Sequence, residues 1–403
     1  MDTFCSLPWI HLATHPDGGV TLCCISDHTN AMSRSKNFEP LQYKSLNNDS
    51  INDVINSDYF KQTRLEMLKG IVPEACKRCF EEEKHGVRSK RIEENEKFLF
   101  TDDLARAITA EDGTIPVNFK FVELRLGNLC NLKCRTCNPV SSTQWIKPHM
   151  EMKKDLSFIT DYETKINSNW TENDSFWQDL FEHSKDLELI YINGGEPTLV
   201  EKHWVYLEEL IKRGYNKKIT LWYNINMTQI PDKLIDLWQQ FKKVQLTCSI
   251  DDLYERNDYL RTGSSWSVIE DNLEKVRKIP WLNTSVCQTI SWLNVYYVDE
   301  FVSYMNNKGL HTHLNFVYDP KFLSVQVLPS ELKDIIIKNS TDLSSWQLNS
   351  ISSQFVNENN LNLFAKGIQY NEWLDKRSLT NFNEVFPEWS KILYEYMEPL
   401  KKS

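Results

Sequence analysis

Three cysteines spaced as CxxxCxxC, Cys130, Cys134 and Cys137, stand in the segment LRLGNLCNLKCRTCNP. Thiolate sulfur suits iron-sulfur clusters and zinc, and this spacing lets one loop supply three corners of a four-iron cube. Three ligands leave one iron open, so something else can bind there. The residues alone also allow a zinc knuckle completed by His149 or another side chain. A second set of thiols lies at the front: Cys5, then Cys23 beside Cys24, then the CxxC of Cys76 and Cys79. In PDGGVTLCC, Asp17, Gly18 and Gly19 predict a tight turn between two short strands, which would bring Cys5 and Cys23 together. Neighbouring side chains on an extended strand point oppositely, so one of Cys23 and Cys24 ligates and the other packs. Spacing leaves both open, with Cys23 the expected ligand. On thiol chemistry alone, a zinc ribbon with four thiolates explains the same front pattern.

These groups need a frame to hold them. From Val117 onward, apolar β-branched runs alternate with amphipathic stretches. Strands are expected at 117–126, 187–192, 218–227, 244–250, 284–291 and 311–318, and helices at 202–213, 231–241, 265–278 and 298–307. Strand followed by helix, repeated, predicts parallel strands with crossover helices, hence an α/β fold, open or curved into a partial barrel. The active site then belongs at the carboxyl ends of the strands, where Cys130 follows the first of them. Ahead of this core, one helix is expected at Ile51–Leu68, a solvated charged helix at Lys84–Phe98, and a variable linker at Thr101–Thr114. After Leu328 a polar stretch gives way to aromatic helical segments expected to pack as a cover.

The chain has 403 residues, 41% hydrophobic and 25% charged, which is globular composition and excludes a disordered or low-complexity protein. Lys plus Arg number 46 against 56 Asp plus Glu, a net charge of -10, so nucleic acid and anionic membrane surfaces are disfavoured partners. No apolar run reaches the roughly 18 to 20 residues of a membrane span. His, Pro and Asp within Met1–Val20 interrupt any signal-peptide stretch, so a cytoplasmic location is expected. In that compartment ten cysteines read as ligands or catalysts rather than disulfides.

With the CxxxCxxC loop, the segments IYINGGEPTL, YNINMT, TCSIDD and RNDYLRTG together resemble the radical S-adenosylmethionine superfamily over roughly residues 115 to 320. The resemblance implies a partial (βα)6 TIM-like barrel at 115–327, followed by a mainly helical segment at 328–403. It implies that Cys130, Cys134 and Cys137 hold a 4Fe-4S cluster whose open iron chelates S-adenosylmethionine. Reduction then splits the cofactor to a 5'-deoxyadenosyl radical, which abstracts a substrate hydrogen. Gly194, Gly195, Glu196 and Pro197 match the family's GGEP motif and would hold the methionine amino group. Asn224 and Asn226 are candidates for the ribose, and Ser249 and Arg261 for the cofactor's carboxylate, which suits a hydroxyl and a guanidinium fork. One departure is Thr136, where the family commonly has an aromatic that packs on adenine.

The front cysteines are similar to the auxiliary-cluster modules called SPASM and twitch, in which a first Cys, a Gly five positions before a second Cys, and a downstream CxxC recur. By that resemblance residues 1–98 form an auxiliary module with its connecting helix, holding a second 4Fe-4S cluster on Cys5, Cys23, Cys76 and Cys79. His85 and Ser89 stand where the longer SPASM form continues with cysteines, so one auxiliary cluster is implied and twitch is the better label. The module precedes the core, whereas in the family it usually follows.

Ser285, Cys287, Thr289 and Ser291 share one polar strand face, and His311, His313 and Asn315 share another. Cys287 is a candidate hydrogen donor to a substrate radical, with an inert buried thiol as the plainer reading. Cys248 should face the helices. The resemblance implies a peptide or protein substrate ahead of a small alcohol of the aminocyclitol kind, and an electron donor such as flavodoxin or ferredoxin. A non-enzymatic iron-sulfur redox or binding protein is the alternative of a different class.

Overall fold

The structure is a computed structural model that describes residues 3–26, 44–160, 162, 170–355 and 360–400. Every candidate site residue is among them, whereas residues 27–43 of the front segment lie outside. Ten strands occur among the described residues: β1 (His11–Thr14), β2 (Val20–Thr21), β3 (Phe121–Arg125), β4 (Lys133–Cys134), β5 (Leu189–Asn193), β6 (Thr220–Ile225), β7 (Lys243–Ser249), β8 (Arg261–Thr262), β9 (Leu282–Ile290) and β10 (His311–Phe316). Each of the six strands expected from alternation is present. The four expected helices form as Lys202–Lys212, Asp232–Trp238, Trp266–Arg277 and Val298–Asn307. The chain divides into two compact units. One comprises Met1–Leu129, Lys165–Tyr223 and Asp232–Val244; the other comprises Cys130–Thr164, Asn224–Pro231 and Gln245–Ser403.

In the first unit the strands run in the order β2-β1-β3-β5-β6. β3, β5 and β6 are parallel, with Glu123 opposite Tyr191 and Tyr191 opposite Trp222. Leu12, Val122, Leu124, Ile190, Ile192 and Leu221 are fully buried, as are Leu180, Leu207 and Leu210 on the helices that follow β3 and β5. Burial of each such side chain contributes roughly 1.5–3 kcal/mol. The front segment is built into this sheet: β1 pairs parallel with β3, His11 opposite Phe121, and antiparallel with β2, Ala13 opposite Thr21. The expected turn between β1 and β2 forms on Gly18, at φ +83°, with the Gly19 amide donating to Asp17 Oδ1 at 2.9 Å.

Three expectations for the front need correction. Ile51–Leu68 is two helices, Ile51–Ile55 and Asp58–Leu68, because Asn56 and Ser57 break the first and begin the second. Lys84–Phe98 is not one solvated helix. A helix ends at Lys84, another runs Lys90–Phe98, and Arg91 and Glu94 on the second are buried. Thr101–Thr114 contains the helix Asp102–Ile108, capped by Thr101, and Gly113 O accepts from the buried Arg64 at 2.8 Å.

In the second unit the order is β7-β9-β10, with β9 and β10 parallel and Cys287 opposite His313, while the short β4 and β8 pair antiparallel. The sheet closes on itself in neither unit. The stretch from 328 to 355, polar in sequence, is helical at Ser330–Asn339 and Ser345–Ser353. The aromatic helices Leu361–Ser378 and Pro387–Leu400 follow. Phe364, Tyr370, Trp373 and Trp389 join Trp145, Tyr259, Trp292 and Leu323 in one buried cluster, so the tail is part of this unit's core.

Candidate functional site

The three-thiol loop begins at Cys130, which is buried and accepts from the Leu132 amide at 3.4 Å. Cys134 lies on β4 directly opposite Arg261 on β8, and the Cys137 amide donates to Cys134 O at 3.0 Å. Burial raises the Cys137 thiol to about 11, opposed by the Asn138 backbone and Arg261, while Cys130 adds to the rise. Cys134 is raised for the same first reason, and both other thiols of the loop push it further. Cys134, pushed up by Cys130 and Cys137, and Cys137, pushed up by Cys130, belong to a donor set a cationic centre would relieve.

Arg261 is buried, and its Nε donates to Asp251 Oδ2 at 3.0 Å. Asp251 in turn accepts from the Thr289 amide at 3.0 Å. The partner of Arg261 is therefore the first aspartate of TCSIDD, a residue the sequence reading passed over. A guanidinium has five donors, of which Asp251 engages two. Cys287 is half-buried, and burial, with Asp251 next, raises it to about 11. The charges of Asp251 and Arg261 act on Cys134, Cys137 and Cys287 alike, the aspartate raising and the guanidinium lowering each thiol. Ser249 ends β7, half-buried, and Cys248 beside it is fully buried, as the alternation required.

Asn226 follows β6 and donates to Asn131 Oδ1 at 2.8 Å, next to Cys130 in the chain. Its own oxygen accepts from the Thr228 amide and hydroxyl at 3.0 and 2.7 Å. Asn224 lies within β6. His149, weighed as a fourth ligand, is buried on the helix Ile146–Asp155 against Tyr162, ring centroids 5.3 Å apart.

GGEP sits after β5. Gly194 adopts φ +125°, and a Cβ on Gly195 would stand 2.3 Å from Leu129 O. The Gly195 and Glu196 amides donate to Gly127 O and Leu129 O at 3.0 and 2.8 Å, so the glycine pair lets this turn lie directly on the residues leading to Cys130. Glu196 is buried and accepts from the Thr198 amide and hydroxyl at 3.1 and 2.7 Å, capping the turn Pro197–Leu199.

At the front, Cys5, Cys23, Cys76 and Cys79 border one small cavity, with Lys90 and Arg91 at its edge. Cys24 does not line it; burial, with Glu123 next, raises its thiol to about 12. Burial raises Cys5 as well, with Cys23 and Cys79 adding to it. No three His, Cys, Asp or Glu side chains among the described residues gather around one point as a single ion requires. Four thiols lining one cavity are the donor set of a thiolate-held metal site, iron-sulfur cluster or zinc. The main chain at Cys5 is held by the helix Lys90–Phe98: Arg91 Nη1 and Asn95 Nδ2 donate to Phe4 O at 2.8 and 3.1 Å, and the Ser6 amide donates to Asn95 Oδ1 at 2.7 Å. Sequence reading missed both residues, although an Arg and an Asn four apart on a helix near the CxxC were the visible signal.

On β9 and β10 the helix-facing residues Val286, Gln288, Ile290 and Thr312 are buried. Cys287 and Thr289 are half-buried on the opposite face, and His311, His313 and Asn315 are exposed there. Ser291 leaves that face, being fully buried and bonded to Asn294. No helix among the described residues is long and apolar enough to cross a membrane.

No curated protein matches the chain. Among solved structures, native anSMEcpe with bound AdoMet aligns at 18% identity and a TM-score of 0.41, covering 56% of this chain and 59% of that one. Streptococcus suis SuiB bound to S-adenosylmethionine aligns at 13% and 0.39, covering 80% and 65%. SuiB bound to precursor peptide SuiA aligns at 13% and 0.38, again covering 80% and 65%. The alignments thus span less than two thirds of each of these proteins. Residues 5–80, which contain all the thiols around the front cavity, match the family SPASM, an iron-sulfur cluster-binding domain.

Proposed function

We propose that the chain is a radical S-adenosylmethionine enzyme with one auxiliary 4Fe-4S cluster, and that its substrate is a peptide or protein. The observation that carries this reading is the set of three thiols on one loop, with Arg261 paired directly across from Cys134 and bonded to Asp251. Cys130, Cys134 and Cys137 would hold a cluster with one open iron, and Cys5, Cys23, Cys76 and Cys79 a fully ligated one. S-adenosylmethionine held at the open iron would supply radical hydrogen-abstraction chemistry on reduction. Arg261, oriented by Asp251, offers its remaining donors to the cofactor carboxylate. Glu196 offers a buried carboxylate to the ammonium, Asn224 and Asn226 the ribose contacts, and Ser249 a hydroxyl to the carboxylate. Cys287 would return a hydrogen atom only in a redox-neutral reaction, a fate of the substrate radical exclusive of its oxidation by the front cluster. A front cluster ligated by Cys5, Cys23, Cys76 and Cys79 would have no open iron for the cofactor and would serve electron transfer from a substrate radical, with flavodoxin or ferredoxin as the external donor.

The exposed polar face of His311, His313 and Asn315 favours a polymer laid along an open strand pair over an enclosed small alcohol. Anaerobic incubation of the reconstituted, reduced protein with S-adenosylmethionine should yield 5'-deoxyadenosine, and no product would remove the enzyme reading. With candidate peptides, the electron role predicts a product lighter by two hydrogens by mass spectrometry.

A further inference from the structure

We infer that Arg135, gripped by the C-terminal segment, is a positioning residue for the three-thiol loop, so that the helix Leu361–Ser378 and the residues after it set thiol geometry and not only stability. This rests on the function proposed above. Arg135 stands between Cys134 and Cys137 and is 1% exposed. Its Nε donates to Tyr259 O at 3.0 Å, Nη1 to Asn371 Oδ1 at 2.8 Å, and Nη2 to Asp375 Oδ1 and Thr380 Oγ1 at 2.7 and 2.8 Å. The guanidinium lies 3.6 Å over the Tyr259 ring. The backbone is fixed as well: the Arg135 amide donates to Leu260 O at 2.7 Å, and Tyr370 donates its hydroxyl to Arg135 O at 2.7 Å. Trp145, stacked on Tyr370, donates to Cys134 O at 2.9 Å. Two successive carbonyls of the loop are thereby held by aromatic side chains, one of them from the tail.

A buried guanidinium is a poor device for stability alone, since an apolar residue of similar volume avoids its desolvation. Oriented bonds to four separate acceptors specify one arrangement, which is what a ligand loop requires. The tail helix also sits tightly: a Cβ on Gly367 would stand 2.3 Å from Phe322 O.

The test uses Thr380→Val, which removes one acceptor without stranding a charge, and Asp375→Asn, which removes the counter-charge. In metal-free protein, alkylation of Cys134 and Cys137 by N-ethylmaleimide is followed by mass spectrometry against the buried Cys248. The rates should rise about fivefold in Thr380→Val and about tenfold or more in Asp375→Asn. In iron-loaded, reduced protein the iron content should hold. The paramagnetic resonance spectrum should change, however, and S-adenosylmethionine should bind about tenfold more weakly in Asp375→Asn. Wild-type alkylation rates, or a wild-type spectrum with wild-type cofactor affinity, in both variants overturn the positioning role. Should Asp375→Asn fail to fold, Thr380→Val decides. A wild-type spectrum indifferent to S-adenosylmethionine overturns the enzyme reading instead, and the alkylation rates still decide whether Arg135 positions the thiols.

Discussion

The loop 130–137 holds its three thiols within a few residues of chain, whereas the front thiols come from Cys5, Cys23, Cys76 and Cys79, far apart in sequence. The two sites solve opposite problems. In the loop the thiols are neighbours by covalent connection, and what must be supplied is orientation, which comes from remote side chains such as Asp375 and Tyr370. At the front the thiols must first be gathered, and the work falls to secondary structure: the β1–β2 turn, the helix holding Cys79, and the helix that pins Phe4 and Ser6. A compact ligand motif therefore depends on tertiary bonds for geometry, and a dispersed one depends on them for existence.

The largest effect expected on this contrast comes from replacing Cys130, Cys134 and Cys137 together by Ala. Formation of 5'-deoxyadenosine, followed by chromatography, should vanish while iron remains at the front. Retained cleavage would erase the distinction between the sites. Next, Cys76→Ala with Cys79→Ala should empty the front site and leave cofactor cleavage without substrate intact; elemental analysis that finds zinc there in wild type would exclude electron transfer. Arg261→Ala and Glu196→Gln should each weaken S-adenosylmethionine binding by about tenfold or more in anaerobic calorimetry, one decade being roughly 1.4 kcal/mol. Arg261→Ala should in addition lower stability by about 3–5 kcal/mol, because Asp251 is left buried without its partner. Equal affinities in wild type and both variants would place the cofactor elsewhere. Gly195→Ala should destabilise by roughly 1–3 kcal/mol in denaturant melts, since its Cβ meets Leu129 O at 2.3 Å. The smallest effect is for Asn95→Ala. Loss of its bonds to Phe4 and Ser6 should cost about 1–2 kcal/mol and slow iron retention at the front alone.

Alternation alone located all six core strands, because residues such as Val122, Ile190 and Val286 must be buried on a helix-covered face whatever the topology. The loop thiols were legible for the same local reason. What stayed hidden was pairing over distance. Nothing in TCSIDD says that Asp251 rather than a ligand faces Arg261, and nothing around Arg135 names Asp375, 240 positions on. Charge density misled at Lys84–Phe98, since Arg91 and Glu94 look like surface residues until Glu83 and Lys90 are seen beside them. Thr101 followed by two aspartates was a helix start that the reading of a linker overlooked.

The parallel pairing of β1 with β3 bears on the order in which the protein is made. His11 cannot meet Phe121 until the ribosome has released more than a hundred further residues, so the β1–β2 hairpin emerges with no sheet to join. Closing so long a loop is entropically slow, and parallel pairing cannot begin from a hairpin. The nascent front end thus spends its early life as an isolated two-stranded hairpin, which is marginally stable by itself. The front sheet is completed late, after β3 has emerged, although Cys5, Cys23, Cys76 and Cys79 are all synthesised before it.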